Sequence, residues 1–191
     1  MSQENVGRIA ITGHTRGIGK AIANLYTRKG FEVVGLSKSN GYDIEYDQER
    51  IMLKMEDCDL IVLNAMSGKG QLELLKRIYG QFHFRHKKVA VITSTSGTDA
   101  GCDTDINTST YKEYCRLKKE LIEYISELQQ ELINRPLSIY DVCPDTVNTE
   151  MSKGLWEEWP KLDALEVAQA VEYCFTATFN VNRIVIQKNA H

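Results

Sequence analysis

Apolar residues follow two spacings along this chain. Short, nearly continuous apolar runs occur at RIAIT (8–12), FEVVGLS (31–37), DLIVLNA (59–65), KVAVITS (88–94), LSIYDVC (137–143) and RIVIQ (183–187), and each predicts a strand. Between them the spacing becomes helical. In 17–30, Ile18, Ala21, Ile22 and Leu25 share one face and Gly30 supplies a stop. Segments 47–57, 70–80, 111–134 and 164–178 read as helices in the same way. Strands alternating with helices predict an α/β fold, a doubly wound, mostly parallel Rossmann-type sheet with helices on both faces. DLIVLNA is almost wholly apolar, as suits a strand covered on both sides. No repeat or linker divides residues 1–191, so a single domain is expected.

One connection breaks the pattern. Only KSNGY separates Ser37 from Asp43, whereas a parallel crossover takes about a dozen residues or more. Asn-Gly between extended segments is a hairpin signal. Any strand at 42–46 is therefore expected to run antiparallel to its neighbour, the alternative being a plain loop, and the fold is shortened at 38–46.

Composition narrows the class. A 42% hydrophobic content over 191 residues suits a folded domain with a sizeable core. A net charge of −3 argues against a general nucleic-acid binder. No apolar run approaches the roughly 20 residues that span a bilayer, and the N-terminus lacks the pattern of a signal peptide. The five cysteines, Cys58, Cys102, Cys115, Cys143 and Cys174, are scattered without CxxC spacing. This fits reduced thiols and a cytoplasmic location. The histidines of HFRH (83–86) have no Cys or carboxylate partner to complete a metal site, and no metal is expected.

The loop after the first strand carries chemistry. IAITGHTRGIGKAIA runs strand, loop, helix, with Gly13, Gly17 and Gly19 in a TGxxxGxG pattern. Such a loop lets a pyrophosphate approach the backbone, and the helix N-terminus offers free N–H groups. The second strand ends in Ser37 and Lys38 without an acid, and Arg16 lies inside the loop. Two cations and a hydroxyl suit a 2′-phosphate, which points to NADP(H).

These and four further motifs resemble the short-chain dehydrogenase/reductase family. TGHTRGIG is similar to its TGxxxGIG, LNA (63–65) to the end of its NNAG, and ITSTSG (92–97) to the strand end bearing its catalytic serine. YCRLK (114–118) matches YxxxK, and CPDTVNT (143–149) resembles PGxxxT with Asp145 in place of glycine. The resemblance implies NADP(H)-dependent interconversion of a carbonyl and an alcohol on a small-molecule substrate. It makes Tyr114 the general acid/base. Lys118, one helical turn on, lowers the tyrosine's pKa and binds the nicotinamide ribose. Ser94 holds the substrate oxygen, with Ser96 as its competitor. Cofactor contacts are implied for Gly13, Thr15, Arg16, Gly17, Ile18, Gly19, Ser37, Lys38, Asp43, Ile44, Asn64, Ala65, Tyr114, Lys118, Pro144, Val147 and Thr149.

The chain departs from the family in three places. Segment 66–87 contains no asparagine, although many members carry one there in a proton relay. The substrate lid is reduced to 151–163, where Trp156 and Trp159 either wall the pocket or pack elsewhere. Asp145 replaces a glycine whose freedom could matter for the turn. A non-enzymatic NADP(H)-binding regulatory or interaction protein on the same fold is the rival reading. The glycine spacing argues against an epimerase or dehydratase relative. The long fourth helix carries more apolar residues than one narrow stripe, among them Leu117, Leu121, Tyr124, Ile125, Leu128 and Leu132. Family members often pair through that helix, so a homodimer or homotetramer is expected.

Overall fold

The computed structural model describes residues 6–99, 102, 106 and 108–188. All six expected strands form: β1 (Arg8–Thr12), β2 (Glu32–Leu36), β3 (Leu60–Leu63), β4 (Lys88–Ile92), β5 (Ser138–Pro144) and β6 (Arg183–Ile186). The helices are α1 (Gly17–Arg28), α2 (Gln48–Met55), α3 (Gly70–Phe82), α4 (Ser109–Glu131) and α5 (Ala164–Thr176). Every pairing in the sheet is parallel, and the strand order is β2-β1-β3-β4-β5-β6. The chain winds outward from β1 to β2, then returns past β1 to lay down β3. The carboxyl ends of β1 and β3 therefore flank the point where the winding reverses, the usual place for a ligand in such a sheet.

Alternation along the strands sorts side chains into two cores. Ala10, Ile61, Leu63, Val89, Val91 and Ile139 meet α2, α3 and α4 on one face. Ile9, Ile11, Val62, Ala90, Ile92, Tyr140 and Val142 meet α1 and α5 on the other. The apolar residues of α4 are accounted for here. Leu117, Leu121, Ile125, Leu128 and Leu132 are buried, and Tyr124 packs against the first core. Their excess covers the chain's own sheet, so it carries no argument for a partner subunit.

Of the two readings of 38–46, the loop forms and the hairpin does not. Residues 37–47 form no strand: a 3₁₀ turn at Lys38–Asn40 ends on Gly41 at φ +85°, and the chain then turns into α2. Asn40 closes the turn by side-chain bonds, accepting from the Ser37 amide (2.8 Å) and donating to Gly35 O (2.8 Å). Asn-Gly here serves a local turn because no second strand follows to pair back. The reduced lid holds a 3₁₀ turn at Glu150–Ser152 and an isolated bridge between Val147 and Leu162. Among the described residues, no helix is long and apolar enough to cross a membrane.

Candidate active site at the carboxyl edge of the sheet

The glycine loop is clamped to β3. The Asn64 side chain donates to Thr12 O (3.2 Å) and Gly13 O (3.3 Å), while Thr12 Oγ1 accepts from the amides of Asn64 (2.9 Å) and Ala65 (3.0 Å). Gly19 lies against this clamp. A Cβ there would stand 2.2 Å from Gly13 O and 2.7 Å from Asn64 Nδ2, so only glycine lets α1 start this close to the loop. Arg16, the residue before α1, makes no side-chain cap bond. The first-turn N–H groups therefore face the loop as a ready anion site. Thr149 closes the far side, its Cγ2 standing 3.2 Å from where a Gly17 Cβ would be.

The residues expected around the adenosine are more occupied. Lys38 is exposed, but its ammonium meets Asp43 (3.0 Å) and Ser67 Oγ (3.2 Å). Asp43 also accepts from the Glu45 amide (3.0 Å), and these contacts hold its carboxyl below the usual range. Ser37 Oγ bonds Ser39 and Asn40. The side chains of Ile44 and Val147 lie in the cores, which leaves their backbones as the groups able to meet a ligand. Thr15 and Arg16 are exposed beside the loop, and Ile18 packs partly on the second core.

Two serine–tyrosine pairs form where β4 ends. Ser94 opens a 3₁₀ turn (Thr95–Gly97), and its Oγ accepts from the Ser96 amide (3.2 Å). The Tyr114 hydroxyl faces the Ser94 side chain, which pulls its pKa down against the larger upward push of burial. Tyr111 Oη instead donates to Ser96 Oγ (3.3 Å). Each serine thus has its own tyrosine neighbour. Gly97 permits this approach, because a Cβ would lie 2.7 Å from the Lys118 backbone carbon. Tyr111 stacks beside Tyr114 (ring centroids 6.4 Å apart) and meets Trp156 edge-on (5.8 Å). Trp156 thus packs on Tyr111 beside the Ser94 turn, while Trp159 is 70% exposed. Asp145 is not among the residues with positive φ. It needs no glycine freedom, and its carboxylate accepts from Thr95 Oγ1 (3.1 Å), tying the 143–149 segment to the serine turn.

Lys118 points inward. It is 4% exposed, and its ammonium donates to Ile92 O (2.8 Å) and Gln71 Oε1 (3.0 Å), lying 5.8 Å from the Tyr114 ring centroid. Burial pushes its pKa down to about 8, against an upward pull from Asp141 and Cys143. The Tyr114 hydroxyl also departs from expectation: burial raises its pKa, and the neighbouring Ser94 side chain offsets only part of the rise. The Lys118 ammonium, 5.8 Å from the ring centroid and bonded to neutral oxygens, does not outweigh the desolvation of the phenol.

Two polar groups of this region escaped the sequence reading. Gln71 sits on the first turn of α3 amid leucines and carries no motif. Asp141, 3% exposed on β5, accepts a 2.5 Å bond from Thr93 Oγ1 and pairs with Arg183 (3.2 Å). Burial raises its pKa. A charged residue inside an apolar strand run was the available signal. All five cysteines are free thiols. A cavity of about 500 Å³ opens at the opposite, amino-terminal edge of the sheet, lined by Tyr26, Phe31, His86 and Phe175 among others, and holds none of the expected site residues.

No family model and no curated protein matches the sequence. Solved structures match the fold. A short-chain dehydrogenase from Burkholderia cenocepacia, in complex with NADP, aligns with a TM-score of 0.79 at 15% identity, over 95% of this chain and 88% of that one. A 3-ketoacyl-(acyl-carrier-protein) reductase from Brucella melitensis, complexed with NADH, gives 0.78 at 14% identity over 94% and 96%. A 3-alpha-hydroxysteroid dehydrogenase from Pseudomonas, complexed with NADH, gives 0.75 at 17% identity over 94% of each chain. The chain has the fold of these proteins.

Proposed function

We propose that this chain is a shortened short-chain dehydrogenase/reductase, an NADP(H)-dependent enzyme that interconverts a carbonyl and an alcohol. The observation that carries this is the Tyr114 hydroxyl beside Ser94 with the Lys118 ammonium 5.8 Å from its ring centroid, at the sheet edge that also holds the glycine loop. The loop fits a dinucleotide: backbone closely packed at Gly19, with uncapped N–H groups beyond it. When bound, the reduced nicotinamide supplies the hydride. Ser94 donates to the substrate oxygen and fixes it beside the phenol. Tyr114 gives its proton to that oxygen, a step its raised pKa favours in the reducing direction. Lys118 lies behind the ring, where its charge steadies the phenolate left after transfer. Arg16, Ser37 and Lys38 receive the 2′-phosphate. The exposed Lys38–Asp43 pair is screened by solvent, holds weakly and yields to a doubly charged ligand.

The test is NADPH consumption over a panel of carbonyl compounds, with Tyr114→Phe as control. The substitution should cost about 10²–10⁴-fold in kcat, and undiminished turnover sinks the proton-donor role. Fluorescence titration should show NADPH binding more tightly than NADH, with the preference reduced in Arg16→Ala and Lys38→Ala. An unchanged ratio in both variants refutes the phosphate assignment. The inward turn of Lys118 favours one rival, a protein that binds the dinucleotide without turning it over and acts through a partner. Tight NADPH binding with no turnover on the whole panel would select that rival.

A further inference from the structure

Gln71 is 4% exposed, and all of its side-chain polar atoms are engaged. Its Nε2 donates to Leu63 O (2.8 Å) and Ile92 O (3.0 Å), the carbonyls at the ends of β3 and β4. Its Oε1 accepts from Lys118 Nζ (3.0 Å). A primary amide has one donor end and one acceptor end. Two backbone carbonyls claim the donor end, so the acceptor end can face only the lysine. A flipped amide would set NH₂ against an ammonium and oxygen against two carbonyls. The sheet therefore dictates which way Gln71 points, and Gln71 in turn dictates where Lys118 points. Ile92 O takes a bond from each, closing a buried triangle of strand end, α3 and α4.

We propose that Gln71 is a positioning residue for the reaction: it aims the Lys118 ammonium at the face of the Tyr114 ring and holds it in its charged form. This rests on the reductase reading, and it concerns a residue to which that reading gives no role. Among the described residues, few charged or titratable groups surround Lys118. Tyr114 shares its helix, Asp141 and Cys143 face it from β5, and Arg183 of β6 stands behind Asp141. From α3 the nearby charge is Lys69 at the helix start, paired outward to Glu120 (3.5 Å). Thr93 and Arg183 already engage Asp141, so the groups bonding Lys118 directly are the neutral oxygens of Gln71 and Ile92. Removing one of the two leaves a buried cation half-solvated, and the lysine then sheds its proton at lower pH.

The test follows the Lys118 side chain by NMR in lysine-labelled, intact protein, with its signal assigned by loss in Lys118→Arg. In Gln71→Met the Lys118 titration midpoint should fall by a pH unit or more. In Gln71→Glu, which keeps an acceptor and adds charge, it should rise by a unit or more. The alkaline limb of kcat should move the same way in each variant, with KM changing less than threefold. Midpoints within 0.3 units of wild type in both folded variants overturn the proposal. Should neither variant fold, the wild type decides: the Lys118 ammonium protons must show nuclear Overhauser contacts to the Gln71 amide, and their absence also overturns it. Because the titration needs neither substrate nor dinucleotide, the outcomes separate. Moved midpoints in a protein without turnover refute the reductase reading alone, and an active reductase with unmoved midpoints refutes the role of Gln71 alone.

Discussion

Replacing Lys118 by methionine should leave the protein at least as stable at neutral pH while removing its chemistry. The lysine is fully enclosed, and its pKa falls from the ordinary 10.5 to about 8. At about 1.4 kcal/mol per unit, keeping the ammonium charged inside the fold costs about 3 kcal/mol below pH 8. The sign follows from proton linkage. Between pH 8 and 10.5 the unfolded chain holds a proton that the folded one has lost, so wild-type stability gains from Lys118 as pH rises through that window. Below pH 8 both states are protonated and the full cost stands. Methionine fills nearly the same volume without charge. It leaves Gln71 Oε1 without its donor, a loss of about 1–3 kcal/mol, while Ile92 O keeps its bond from Gln71. The net change at pH 7 is therefore about 0–2 kcal/mol in favour of the variant. Urea unfolding of both proteins from pH 6.5 to 9.5 is the assay. Their difference should stay flat below pH 8, then move toward wild type by about 1.4 kcal/mol per pH unit. A difference constant across the range, or one moving the other way, would refute the argument that Lys118 is a desolvated ammonium.

Other consequences are simpler. Gly19→Ala should cost about 1–3 kcal/mol in unfolding free energy and weaken dinucleotide binding at least tenfold, because its Cβ would press on Gly13 O; calorimetric binding checks it. Lys87→Met should destabilise by about 2–4 kcal/mol in urea unfolding. The Lys87 ammonium donates to Met55 O, Glu56 O and Cys58 O where α2 ends, so its removal strands several carbonyls at once. Trp156→Ala should change KM across the carbonyl panel more than kcat, since Trp156 contacts Tyr111 rather than the Ser94–Tyr114 pair; equal losses in kcat with KM unchanged would count against a wall. Gel filtration tests the homodimer or homotetramer that the family resemblance alone implies, since the apolar face of α4 is buried on the chain's own sheet; a monomer elution volume would remove it.

The strands were legible because a sheet covered on both faces needs apolar residues on both sides of every central strand. That demand writes runs such as LIVL and KVAVI directly into the chain. The glycine loop was legible for a related reason: backbone packing that excludes a Cβ leaves glycine as the only residue, at a spacing fixed by the loop. The turn after β2 misled because Asn-Gly encodes a left-handed step, and the same step serves a hairpin or a local turn. Whether a strand returns is decided by residues elsewhere, here the early start of α2. The direction of the Lys118 side chain was not legible either. The spacing of Tyr114 and Lys118 places both on one helix face, but a lysine can reach out to a ligand or back to the sheet.

What decides the lysine's direction lies in three segments far apart in sequence. Leu63 and Ile92 offer carbonyls because β3 and β4 end side by side, and their strands say nothing of that use. Gln71 joins them only because Gly70 lets α3 begin against Ile44 O, where a Cβ would stand 2.8 Å away. Moving the start of α3 by one residue would turn Gln71 by about 100° around the helix, as 3.6 residues per turn require, and the amide would leave the triangle. Tyr114 is thus fixed by its own helix, but the charge behind it depends on where a different helix starts.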